Sequence, residues 1–83
     1  MSTPDWLNRG KIKISLDARP LLAQGVHPLE RVHAECEALQ PGEIFEIITP
    51  FPPAPMIEKM GAAGYAVHSE AGADGTFHTY FYR

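Results

Sequence analysis

Proline and glycine divide this chain into short segments. Its 83 residues include 8 prolines and 7 glycines, and the longest tract free of both is 29–40. Proline breaks helices and removes a backbone donor from strands, and interior glycine weakens both structures. Regular elements therefore have to be short. Because a chain of this size buries only about 60% of its unfolded surface, each apolar stripe is needed for a single core.

The first predicted strand lies at 11–16, where apolar and polar residues alternate strictly. Ile12, Ile14 and Leu16 would share one face, which is the pattern of a half-buried strand. The next segment, 17–26, contains Pro20 and Gly25 and has no helical or strand periodicity. We therefore predict a connecting loop there.

The first predicted helix begins at Pro28, which suits the first turn because its missing N–H is not needed there. Apolar residues then recur at the three- and four-residue spacings of one helical face. The segment 40–42, Gln-Pro-Gly, ends the helix. The buried stripe is predicted to comprise Leu29, Val32, Cys36 and Leu39.

The second half of the chain predicts two β segments and a short helix between them. The run 43–48 is largely apolar and β-branched, as expected of a strand near the sheet centre. The prolines that follow exclude regular structure until Met56, where a brief helix begins. The β-favouring runs 65–70 and 76–83 are joined by Asp74-Gly75, a typical hairpin turn.

The element order is therefore βαβαββ. Helices that alternate with strands have to cover one face of the sheet, so we predict an α/β (α+β) two-layer sandwich with two helices on one face of a four-stranded mixed sheet. We expect residues 11–83 to form a single domain and residues 1–10 to be a flexible N-terminal segment.

Composition excludes several classes of partner. The formal net charge is −3 and no Lys/Arg cluster is present, which argues against nucleic acid. No apolar stretch approaches the ~20 residues that cross a bilayer, and the first residues lack the pattern of a signal peptide. The single cysteine, Cys36, cannot form an internal disulfide. These features predict a cytoplasmic protein that does not enter membranes.

Four segments in order resemble the TusA/SirA-like family of small sulfur-carrier proteins. They are Leu16-Asp17-Ala18-Arg19, His27-Pro28-Leu29-Glu30, Leu39-Gln40-Pro41-Gly42-Glu43 and the C-terminal aromatic hairpin. The resemblance is greatest to an uncharacterised branch, a domain of unknown function, in which His-Pro stands where the carriers have Cys-Pro. It implies a TusA-like fold.

The resemblance also implies that the carriers' chemistry is absent here. In the sulfur carriers the cysteine of Cys-Pro holds a persulfide, and His27 occupies that position. An imidazole cannot form this covalent intermediate, although a helix N-terminus would stabilise a thiolate. Cys36 is predicted to face the core as an inert small hydrophobe.

His27 is the central candidate for a binding site, because a histidine before a proline-led helix can present its ring to a ligand. The alternative is a capping or loop-packing residue. Pro28 and Glu30 belong to the same segment. Asp17 and Arg19 are expected beside it, where Arg19 could hold an oxyanion or simply pair with Asp17.

Histidines also supply a candidate metal site on the C-terminal hairpin. If the hairpin closes with Glu70 facing Thr76, His68 and His78 lie directly opposite each other and could share a metal ion with Glu70. The alternative is a polar outer face. His33 and Glu37, four residues apart on the first helix, could likewise share a ligand or form a solvated face.

A docking surface for another protein is predicted at the proline-rich loop 50–55 and at exposed aromatic side chains of the last strand. The alternative for Phe51 is ordinary packing over the core. We expect a non-enzymatic binding or regulatory module whose partner is another protein or a small ligand. A small metal- or cofactor-handling protein with histidine ligands and an atypical sulfur-transfer protein are the alternative hypotheses, and the sequence names no cofactor.

Overall fold

The computed structural model describes residues 3–26 and 28–83. Within them, four short helices and four short strands follow one another along the chain. Helices α1 to α4 are Asp5–Arg9, Arg19–Ala23, Leu29–Glu37 and Ala54–Ala62, and strands β1 to β4 are Lys11–Asp17, Glu43–Thr49, Ala66–Ala71 and Phe77–Tyr82. No element exceeds nine residues.

The four strands form one mixed sheet in the order β1-β2-β4-β3. β1 is parallel to β2, whereas β2–β4 and β4–β3 are antiparallel. The predicted α+β architecture with a four-stranded mixed sheet is confirmed. The apolar run of β2 reflects its central position, because such a strand is covered on both sides.

The core lies between the sheet and helices α3 and α4. Phe45 and Phe81 are fully buried neighbours on β2 and β4, with ring centroids 6.2 Å apart. Burying one such side chain contributes about 1.5–3 kcal/mol to the free energy of folding. The cluster is completed by Val32 and Cys36 of α3, by Leu39 just after α3, and by Met56 and Met60 of α4. The predicted stripe of the first helix is therefore confirmed.

Two helices differ from the sequence prediction for the same reason. The segment 17–26, predicted to be a loop, contains α2, and α4 begins at Ala54 rather than at Met56. Pro20 and Pro55 each occupy the first turn of a helix. Proline is compatible with that turn because its missing N–H has no helical partner there, so the reading of these prolines as breakers was wrong.

The other side of the sheet is partly covered by α1. This helix lies inside the segment 1–10, for which flexibility stays a prediction, and its Trp6 ring stacks on Tyr82 with centroids 5.1 Å apart. The expected alternation of β1 is also interrupted, because the register shifts between Ile12 and Ile14. Ile12 pairs with Ile44 and is 47% exposed, so it does not share the buried face of Ile14.

Candidate functional site

Asp17 and Arg19 form a bidentate ion pair where β1 ends and α2 begins. Arg19 Nε donates to Asp17 Oδ1 at 2.9 Å, and Nη2 donates to Oδ2 at 2.7 Å. The side-chain hydrogen bonds from Arg19 lower the pKa of Asp17 to about 2. The pairing that the sequence allowed as an alternative is thus present, and it occupies the guanidinium fork. A ligand of Arg19 would have to displace Asp17 or bind the Nη1 side of the guanidinium.

The segment before α3 is only partly described. His27, the central candidate, lies outside the described residues. Pro28 is buried, whereas Glu30 is exposed on the first turn of α3. Pro28 lines a small apolar cavity of about 100 Å³ together with Leu22, Thr49, Phe51, Pro53, Pro55 and Met56. The start of α3 therefore adjoins a concave apolar surface.

Two large apolar side chains are exposed at this end of the molecule. Phe51 is 47% exposed and lines the cavity, and Val26, two positions before Pro28, is 45% exposed. The alternative that Phe51 packs over the core is therefore wrong. We call the cavity residues Leu22, Pro28 and Phe51, together with the exposed Val26, the apolar corner. Exposed apolar surface beside a cavity is typical of an interaction site.

A hydrogen-bonded network centred on Glu46 occupies the sheet face opposite α3 and α4. Ser15 Oγ donates to Glu46 Oε1 at 2.8 Å, and His78 Nδ1 lies 2.8 Å from Oε2. Burial by itself raises the pKa of Glu46. Hydrogen bonds from His78, Ser15 and Tyr80 outweigh burial and hold the pKa below its usual 4.5. The network therefore favours the ionised form of a partly buried carboxylate. Its hydrogen bonds link β2 to β1 and β4.

The neighbours of His78 decide what this network can do chemically. His78 Nε2 lies 3.3 Å from Thr76 Oγ1, so Glu46, His78 and Thr76 are ordered like a carboxylate–imidazole–hydroxyl relay. The Thr76 hydroxyl is buried, however, and donates to Asp74 Oδ1. A hydroxyl committed in this way is not a free nucleophile, and the contacts serve to fix the hairpin onto β2.

The hairpin register differs from the one assumed for the metal site. Glu70 faces His78, and His68 faces Tyr80, so the assumption of directly opposed histidines was wrong. His68 Nε2 lies 3.0 Å from Glu70 Oε1, while His78 pairs with Glu46. Across residues 3–26 and 28–83, no group of three His, Cys, Asp or Glu side chains is placed to hold a metal ion.

Glu46 and Tyr80 are the functional-looking residues that the sequence reasoning missed. Burial and the neighbouring Glu46 carboxylate raise the pKa of Tyr80 to about 12. The available signal was Glu46 itself, a carboxylate between the apolar residues Phe45 and Ile47 of a strand, because such a group requires hydrogen-bonding partners when it is partly buried.

Cys36 lies in the core with no exposed surface, as its place in the helix stripe predicted. Burial, with a smaller contribution from the Glu35 carboxylate, raises the pKa of its thiol to about 12. The thiolate is the reactive form of cysteine. Cys36 therefore lacks both the access and the ionisation that sulfur transfer requires.

Residues 15–83 match the model of a family described as an uncharacterized conserved protein, DUF2249. The chain belongs to this family. The DUF2249 match begins within β1 and includes the apolar corner and the Glu46 network, while α1 precedes it. No curated protein and no solved structure matches the chain. The longest helices among the described DUF2249 residues have nine residues each, too few to cross a membrane.

Proposed function

We propose that this DUF2249 protein is a non-enzymatic binding module that docks another protein through its apolar corner. The observation that carries the proposal is the exposure of Phe51 at an apolar cavity, with a second exposed apolar side chain, Val26, two positions before the cavity residue Pro28. A small domain needs its apolar side chains in the core. Two large apolar groups left at one end of the molecule are therefore available for a partner to bury.

The size of the cavity favours a protein partner over a small-molecule ligand. Its volume is about 100 Å³, whereas sites for cofactors and drug-sized ligands measure roughly 300–1,000 Å³. A single aliphatic side chain of a partner fits this space. Phe51 would supply the matching aromatic anchor, and burying the half of its surface that is still exposed would contribute about 1 kcal/mol to binding.

The proposal includes a TusA-like fold and a cytoplasmic location. The resemblance of the segments around Asp17, His27 and Pro41 supports the fold, and the single cysteine supports the location. The buried, protonated Cys36 argues against an atypical sulfur-transfer protein. Within the proposal, the Asp17–Arg19 pair and Glu30 form the polar rim of the recognition surface.

Site-specific photocrosslinking tests the proposal in the cells that make the protein. A photoreactive phenylalanine analogue is placed at position 51 or at position 12, since Phe51 and Ile12 are both 47% exposed but belong to different surfaces. We expect a discrete adduct from position 51 that the change Val26→Ser weakens, and none from position 12. Equal adducts from both positions, or none from position 51, would contradict the proposal.

A further inference from the structure

A groove runs between α3 and α4 on the outside of the helical layer. Its floor is apolar and consists of Leu29, Ala34, Met60 and Ala63, in a concavity of about 590 Å³. A second concavity of about 540 Å³ shares Leu29 with the first and extends it to Pro55. Small alanine side chains on the floor permit close approach of larger apolar side chains from a partner.

The groove is continuous with the apolar corner. Pro55 lines both the second concavity and the small cavity beside Phe51. A nine-residue helix such as α3 is about 14 Å long at 1.5 Å per residue. The groove therefore offers a track of two to three helical turns that ends at the surface assigned to partner docking.

The rim of the groove carries mostly negative charge. Glu30 and Glu37 stand along α3 and Glu58 stands on α4, while Lys59 is the cation among the lining residues. His33 Nδ1 lies 3.8 Å from Glu37 Oε1. Each exposed ion pair contributes little to binding affinity, so this rim would select the partner's charge rather than supply most of the affinity.

The groove suits a helix better than an extended strand. An added strand needs the free backbone donors and acceptors of a sheet edge, and the edges of this sheet are β1 and β3. A channel between two helices instead receives the apolar face of a third helix, whose anchors recur at three- and four-residue spacings.

We infer that the α3/α4 groove binds an amphipathic helix of the partner protein that carries lysine or arginine beside its apolar face. The inference rests on the proposed docking function and specifies its partner. The helix lies along the groove beside the acidic rim of α3, and one end of it reaches the apolar corner.

Two synthetic amphipathic peptides of equal length test this inference in NMR titrations of the full chain. Both carry leucine at the spacings of one helical face, and their flanks are lysine in one peptide and glutamate in the other. We expect the lysine peptide to shift the amide signals of Ala34, Ala62 and Ala63 saturably, with a Kd at least about tenfold lower than that of the glutamate peptide. Added salt should narrow this difference because it screens exposed charges.

Matched variants separate groove binding from general association. The double change Ala34→Gln and Ala62→Gln places larger neutral side chains on exposed helix positions of the groove and should abolish the shifts. Ala73→Gln, at an exposed position in the hairpin turn, should leave them unchanged. The double change Glu30→Lys and Glu37→Lys should reverse the preference between the peptides. Thermal denaturation verifies that each variant is folded.

The outcomes distinguish this inference from the docking function on which it rests. Absence of saturable shifts, equal affinity for the two peptides, or insensitivity to the Ala34/Ala62 variant would overturn the groove inference. A Phe51-dependent adduct in the crosslinking experiment would then still support the docking function. Conversely, groove binding of the lysine peptide without any adduct from position 51 would support the groove and overturn the apolar corner.

Discussion

The Cys36 thiol lies on the core side of α3, between Val32 and Leu39 in the helix stripe, and has no exposed surface. Asp17, by contrast, is partly exposed, and its carboxylate forms an ion pair with Arg19. Burial raises the pKa of Cys36 to about 12, while hydrogen bonds lower that of Asp17 to about 2. Both residues therefore stay in one protonation state throughout the physiological range.

Cys36 should be unreactive in the folded protein. Its folded pKa is raised, so the neutral thiol persists at all pH values below about 12. We expect alkylation by iodoacetamide at mildly alkaline pH to be roughly 100-fold slower in buffer than in denaturant, since reaction requires transient opening of the core. Mass spectrometry of timed samples measures both rates. Labelling of native protein at the denatured rate would show that the thiol is accessible.

At the scale of elements, Gly10 determines how α1 meets the sheet. A Cβ built on Gly10 would lie 2.6 Å from Ile44 Cδ1 and 2.6 Å from the carbonyl oxygen of Trp6. The Ile44 methyl could move, but the backbone oxygen belongs to the helix itself. The close approach places Trp6 over Tyr82, so this glycine is needed for the packing of α1.

The change Gly10→Ala should lower the free energy of unfolding by about 1–3 kcal/mol, because a methyl group is forced against packed atoms. Trp6 is the single tryptophan, so fluorescence will report any loss of its stacking on Tyr82. Gly61→Ala is the matched control within α4, where a Cβ meets no atom within 4 Å, and it should stabilise by about 0.5–1 kcal/mol. Equal thermal shifts for the two variants would refute the packing argument.

At the scale of the whole molecule, the Glu46 network connects strands that are distant in sequence. Ser15 belongs to β1, Glu46 to β2, and His78 and Tyr80 to β4. These hydrogen bonds to the partly buried carboxylate are strongest while it is ionised. Because its pKa is lower in the folded than in the unfolded state, its contribution is present above pH 4.5 and is lost as pH falls through the folded pKa.

Glu46→Gln should therefore destabilise the protein in a pH-dependent way. At neutral pH we expect a loss of about 1–3 kcal/mol, typical of hydrogen bonds to a charged group. The difference from wild type should shrink as pH falls below 4.5, since the native carboxylate then becomes protonated. Urea denaturation across this pH range measures the free energy of unfolding of both proteins. Glu58→Gln, on the exposed face of α4, is the control, and its free energy of unfolding should stay within about 0.5 kcal/mol of the wild-type value. A pH-independent difference would contradict the role assigned to Glu46.

Local sequence patterns predicted the fold correctly where the structure of a segment depends on its own residues alone. The stripe from Leu29 to Leu39 and the Asp74-Gly75 turn were correct because helical spacing and turn chemistry are short-range properties. The proline-containing segments were misread because a single sequence does not show whether Pro20 and Pro55 stand inside a helix or in its first turn. That distinction depends on where the neighbouring residues pack.

The candidate site was predicted in part. The proline-rich loop was identified from composition, but the exposure of Phe51 and its cavity depend on how three separate segments meet. The hairpin register also needed the structure, because Glu70 faces His78 instead of Thr76, a shift of two positions that leaves every side chain on its face but changes its cross-strand partner. The pairing of Glu70 with His78 followed from that register.

The sequence by itself determined the α+β class, the central position of β2 and the burial of Cys36, because hydrophobic periodicity and proline and glycine positions act over a few residues. Only the tertiary structure decided that Glu46, His78 and Ser15 form one network and that the apolar corner joins a groove with an acidic rim. These arrangements bring together residues more than thirty positions apart, and their geometry depends on strand register and helix packing, which no local pattern encodes.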